Sequence, residues 1–258
     1  MLAMVSMLGT TNTCTANQET NLPDCQFKIL TPETVPPYLK DDEWRIIAEV
    51  NKMRCDPQRY AKEQLTPLLD YYSGQLLRYP GRSPIITQEG VSALIECIDV
   101  LSNTNPMPLL YPRKGLVLAA RDHVADQGRS GAVGHSGSNA SSPVDRINRY
   151  GYWQGYAGEN IAYGYENARK IVVALLIDDG VPSRGHRNNL LNGAFNTIGA
   201  ASGPHNKFGY MCVMEFAGAY TDQVQQMSGS EQIPDRSSTS YQHLSTSLPT
   251  RESKTNLL

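Results

Sequence analysis

The chain has 258 residues, with 23 Lys and Arg against 25 Asp and Glu and a formal net charge of −2. That balance supplies no basic stripe to displace counterions from a phosphate backbone, which argues against nucleic acid as a partner. No apolar run reaches the ~18 residues a transmembrane helix needs, and five cysteines, an odd number, are too few for a disulfide-stapled scaffold.

Residues 1–40 read as a leader and linker. Met1 to Ala16 opens apolar and ends on small residues, and reads either as a degenerate signal peptide with Ala16 as its cleavage position or as a disordered N-terminus. It lacks the basic n-region of a full signal peptide. Residues 31–37 then carry Pro32, Pro36 and Pro37, which block helix and sheet alike.

Residues 41–222 carry the folded mass. Asp41, Asp42 and Glu43 set acid in the first turn of a helix, where the dipole favours it, and Trp44, Ile47, Ala48 and Val50 continue it at helical spacing. Asp56 followed by Pro57 reads as an N-cap with proline at the first helical position, opening a second short helix. Further helices are expected over Gly90 to Ser102 with Val91, Leu94, Ile95 and Ile98 on one face, over Leu116 to Gln127, and over Glu166 to Asp179. Strands are expected only late. Asn196 to Ser202 and Phe208 to Ala217 flank a Gly/Pro/Asn loop and form a hairpin. Helices followed by strands argue for an α+β layer fold. Residues 223–258 hold 12 Ser or Thr in 36 positions. That composition buries too little apolar surface to offset chain entropy, so a disordered tail is expected.

Four stretches could carry chemistry: Gly134 to Gly137, Gly158 to Ala162, Leu175 to Asp179, and Gly185 to Arg187. Each sets a histidine or carboxylate at a turn or helix end. His135 and His186 are candidate metal ligands, with Glu159 and an acid of the Asp178-Asp179 pair as ligands or orienting partners. Their spacing matches no compact metal motif, so the residues alone leave this constellation open. Residues 134–138 read Gly-His-Ser-Gly-Ser, not the Gly-x-Ser-x-Gly of a nucleophile elbow.

The blocks GHSG (134–137), GENIAYG (158–164), RGHRNNLLN (184–192), FNTIGAA (195–201) and YMCVMEFAGAY (210–220), with Asn51 to Arg54 in the opening helix, resemble in order and spacing the signature blocks of the CAP superfamily. That family comprises cysteine-rich secretory proteins, antigen 5 and pathogenesis-related 1 proteins, and its module is also called the SCP domain. Gly185-His186-Arg187 resembles the bacterial or protist type. The resemblance implies an α–β–α sandwich with a central antiparallel sheet between helical layers. It implies a cleft with His135 and His186 as ligands for a divalent metal such as zinc, and Glu159 and Asp178 as the cleft acids, with Asp179 the alternative for the last.

The function expected is a secreted, non-enzymatic binding protein for a divalent metal and a lipid, sterol or protein ligand at the cleft, with a cytoplasmic location the alternative. Two competitors stand beside it. One is a zinc-dependent peptidase with Glu159 as general base; the other is an interaction domain whose cleft binds nothing. Among the remaining candidates, Glu215 in an apolar strand must be paired if buried, His123 reads as a satisfied core histidine, and His205 as a turn residue. Tyr150, Tyr152, Trp153, Tyr156, Tyr163 and Tyr165 could line a lipid groove, although loop packing against the sheet is favoured. Cys55, Cys97 and Cys212 read as buried free thiols, while Cys14 and Cys25 would pair only on export. Asn139-Ala140-Ser141 is a glycosylation sequon, used only in a secretory pathway.

Overall fold

The computed structural model describes residues 35–81 and 83–223. The expectations for the leader, the tail, Cys14 and Cys25 fall outside these residues.

Helix α1 (Asp41–Cys55) forms where expected. Its inner face buries Ile46, Ile47, Val50 and Met53, each worth about 1.5–3 kcal/mol of apolar burial. The acid at Glu43 does more than face a dipole. It is itself buried, accepts the Lys40 N–H at 2.7 Å, and pairs with Arg121 at 2.6 Å. Asn51 and Arg54 act as staples. Asn51 exchanges two hydrogen bonds with the Leu110 backbone, and the Arg54 guanidinium donates to the carbonyls of Pro108, Leu190, Asn192 and Phe195.

Helix α2 (Pro57–Tyr60) starts at Asp56, whose side chain accepts the Arg59 N–H. The coil then continues as a π turn over Ala61–Leu65 and a 3-10 turn over Thr66–Tyr71. A small antiparallel sheet follows, built from β1 (Tyr72–Ser73), β2 (Leu76–Leu77) and β3 (Ile85–Ile86). Helix α3 (Val91–Ser102) turns inward with Ala93, Leu94, Cys97 and Leu101. The expected face was rotated by about one position, and Ile95 is left 54% exposed.

The main sheet has the order β4-β6-β7-β5. Strand β4 (Tyr111–Pro112) pairs parallel to β6 (Thr197–His205), whereas β6 with β7 (Gly209–Asp222) and β7 with β5 (Gly151–Tyr163) are antiparallel. The expectation that strands come only late is corrected by β5, a 13-residue strand at the edge of the sheet. The hairpin loop is also shorter than expected, because β6 runs on through Gly203, Pro204 and His205.

Helices cover both faces. Along β7, Cys212, Met214 and Phe216 enter the large core with α1, α3 and α6 (Ala168–Ile177), while Met211, Val213 and Ala217 face α4 (Lys114–Ser130) and α5 (Pro143–Asn148). This period-two division yields the expected α–β–α sandwich. Gly199 lets α4 lie directly on the sheet: a Cβ there would run into the Leu116–Val117 backbone. Cys97 and Cys212 are buried free thiols, and Cys55 is buried as well.

Candidate functional site

Two carboxylate–imidazole pairs straddle the edge strand. Neighbouring residues of a strand point to opposite faces, so Glu159 of β5 faces α5 and Asn160 faces α7 (Gly185–Leu190). On the first side His135 Nδ1 lies 2.7 Å from Glu159 Oε1, and Arg146 donates to Glu159 Oε2 at 2.6 Å. On the second side His186 Nδ1 lies 2.7 Å from Asp178 Oδ1, and Asn160 donates to the His186 carbonyl at 2.9 Å. Asn189 closes the link by donating to Asn160 Oδ1.

The loop carrying His135 is held along its whole length. Gly134, in a left-handed conformation at φ 96°, donates its N–H to the Tyr163 hydroxyl, and its carbonyl accepts from His123 Nε2 and Gln127 Nε2. Tyr163 donates onward to Gln127. The His135 carbonyl accepts from Arg146, and Asp126 accepts the Ser138 N–H. The backbone of His135 therefore has little freedom, and its imidazole is the part left to reach solvent.

The second loop begins where α6 ends. Asp178 adopts a left-handed conformation, φ 56° and ψ 42°, which a short polar side chain tolerates. One of its oxygens takes the His186 ring, and the other accepts the backbone N–H groups of His186 and Arg187. Asp179 turns away to cap Gln88 and Glu89. Arg184, also left-handed, bridges Glu89 and Glu96, and these bonds pull the Glu89 carboxyl down to about 2. Arg187 is buried on the carbonyls of Leu176 and Ile177 and pairs with Glu96.

Hydrogen-bond partners fix the imidazole tautomers. A carbonyl can only accept, so His123 presents Nε2–H to Gly134 and His205 presents Nε2–H to Ala132. A carboxylate likewise only accepts, so in their neutral form His135 and His186 carry the proton on Nδ1 and leave the Nε2 lone pair free. This carboxylate–histidine arrangement is the one found behind metal-binding imidazoles. Each ring could thus offer Nε2 to a divalent ion, with Glu159 and Asp178 spent on orienting the rings. Among the described residues no three His, Cys, Asp or Glu side chains converge as a ready metal cage. The rest of any coordination shell would be water or a ligand group.

Burial favours the neutral form of Glu159, but the bonds from His135 and Glu215 and the Arg146 charge outweigh it and hold the carboxyl below its ordinary range. Glu215 sits opposite Glu159 in the β5–β7 register and is wholly buried, and burial pushes its carboxyl well above that range. The pairing expected for it is an indirect one, with Arg146 Nε 3.8 Å away. His123 is core as expected, yet only half satisfied, since Nδ1 has no partner among the described residues. His205 ends β6 and is buried; its Nδ1 accepts the N–H groups of Lys207 and Phe208 and so shapes the turn.

The six aromatic residues do not line one groove. Tyr150 bonds Asp122, Tyr150 and Trp153 pack beside Ile147 and Tyr220, and Tyr163 packs with Ile161 and Met211. Tyr165 lies on the large core, leaving Tyr152 and Tyr156 exposed. A polar pocket of about 230 Å³, lined in part by Asp122, Asp126, Asn139 and Arg149, lies behind the His135 loop and includes none of the four site residues. Sequence reasoning missed Arg146, Asn160, Arg184 and Arg187. Asn160 and the two latter arginines stand inside the GENIAYG and RGHRNNLLN blocks, whereas Arg146 has no local signal.

No curated protein matches the chain. One similar solved structure is an extracellular protein containing an SCP domain from Bacillus anthracis str. Ames, 25% identical over 49% of this chain and 37% of that one, with a TM-score of 0.36. Another is an outer surface protein from Borrelia burgdorferi, 22% identical over 47% of this chain and 92% of that one, with a TM-score of 0.37. The chain thus spans little more than a third of the Bacillus protein's length. No helix among the described residues is long and apolar enough to cross a membrane. The profile of the cysteine-rich secretory protein family matches residues 47–216, most of the chain, including all four site residues, and the chain belongs to that family, the CAP family.

Proposed function

We propose that the chain is a secreted, non-enzymatic binding protein whose cleft takes a divalent cation, zinc foremost, through Nε2 of His135 and His186. The lipid, sterol or protein ligand sits at the rim of the same cleft. One observation carries this reading: two imidazoles on opposite sides of one strand are each held at 2.7 Å by a buried carboxylate, with Nε2 left free. A bound divalent ion would supply a Lewis-acidic point to which an oxygen or nitrogen of the ligand could attach.

The peptidase alternative draws less support. A general base must reach the proton it takes, and Glu159 is buried, with its two oxygens on His135 and Arg146. Calorimetric titration of the full chain with Zn²⁺ tests the proposal. Binding is expected for the wild type and its loss for the H135A/H186A double variant. Equal binding by the two proteins would refute it, as would zinc-dependent peptide cleavage abolished by E159Q.

A further inference from the structure

Buried charge does not balance beneath the first imidazole. Glu159, Glu215 and Arg146 are each at most 1% exposed. With both carboxyls ionised, two adjacent anions would share one guanidinium in the interior, a state that like-charge repulsion and desolvation both oppose. One retained proton makes the trio neutral.

Geometry decides which group holds it. Glu159 receives N–H donors from His135 and Arg146. Glu215 receives none: among the described residues no group donates to either of its oxygens, and Arg146 Nε stays 3.8 Å away. The two carboxyl groups oppose each other in the β5–β7 register and share Arg146 as a neighbour. An un-ionised Glu215 resolves the mismatch, because it gains a donor and Glu159 is the acceptor beside it.

We propose that Glu215 is a positioning residue, a neutral carboxylic acid at pH 7 whose O–H donates to Glu159 and completes the three donors that fix Glu159 against His135. Glu159 is then a saturated anion, aimed at orienting the ring and poor at taking up a proton. That deepens the binding reading above, on which the metal arm of the test depends; the infrared arm does not depend on it.

The infrared arm compares full-length wild type with E215Q at pH 7, in H₂O and D₂O. The expected result is an un-ionised carboxylic acid C=O band that shifts in D₂O and is absent from E215Q. Absence of the band from the wild type, or its persistence in E215Q, would overturn the proposal. In the metal arm E215Q, whose amide N–H can replace the O–H donor, is expected to keep wild-type Zn²⁺ affinity. E215L is expected to lose about 10–100-fold, the usual cost of removing such support. Wild-type affinity in a folded E215L variant would also overturn it. Failure of E215L to fold would leave the decision to the band and to E215Q. Failure of the wild type to bind zinc would defeat the two-imidazole reading, and the band would still decide Glu215.

Discussion

Asp178 Oδ1 lies 2.7 Å from the ring of His186, while its neighbour Asp179 points away and caps the backbone of Gln88 and Glu89. Two adjacent carboxylates therefore have separate tasks, and they should separate on mutation. In D178N the amide must either turn its NH₂ toward two backbone N–H groups or offer the ring a neutral acceptor. Zn²⁺ affinity is expected to fall about 10–100-fold. D179N should leave it unchanged while lowering stability, as calorimetry and urea unfolding of the two variants would show.

Arg146 is the charge on which the first imidazole's support rests. Arg146→Met leaves Glu159 buried with one donor fewer and no countercharge, at a cost of about 3–5 kcal/mol. By contrast Arg45→Ala removes a pair exposed by more than half on both sides, expected to matter by ~0–1 kcal/mol. Urea midpoints for both variants check the contrast.

The interior acid predicts a pH dependence with a definite sign. Glu215 has a folded pKa raised by burial, so the folded protein keeps a proton that the unfolded chain releases above its ordinary pKa of about 4.3. Its contribution is fully present below that value and is lost as pH rises toward the folded pKa. E215Q should therefore gain stability over the wild type progressively above about pH 4.3. A difference that stays flat with pH in urea unfolding would contradict this.

The contact of α4 with the sheet depends on a missing side chain. Gly199→Ala drives a methyl group into the Leu116–Val117 backbone and should cost at least about 1–3 kcal/mol. Gly193→Ala, with open space around it, should stay within ~0.5 kcal/mol. Thermal unfolding of the two separates a packing requirement from a general effect of losing glycine.

The helices were legible in the sequence because their information is local. Acid in the first turn of α1, Asp56 before Pro57, and apolar spacing in α4 and α6 each act within a turn or two. Strand β5 was not legible. Its residues include Gly151, Gly155 and Gly158, and the polar Glu159 and Asn160, which ordinary strands disfavour. They are tolerated because Arg146, His135 and Asn189 come from elsewhere in the chain to satisfy them. His135, Glu159 and His186 came from family blocks; the pairing of Arg146 with Glu159 and the opposition of Glu159 and Glu215 are tertiary events with no local pattern. Helical register pointed to Asp178 but left Asp179 open, since α6 stops at Ile177 and the chain turns left-handed at Asp178.

The central claim is that His135 and His186 are held with Nε2 free for a ligand. Long-range ¹H–¹⁵N NMR of the imidazole rings in the full chain at neutral pH reads the tautomers directly. The account predicts Nδ1–H for His135 and His186 and Nε2–H for His123 and His205. Nε2–H at His135 or His186 would mean that the nitrogen meant for the cation already carries a proton, and would contradict it.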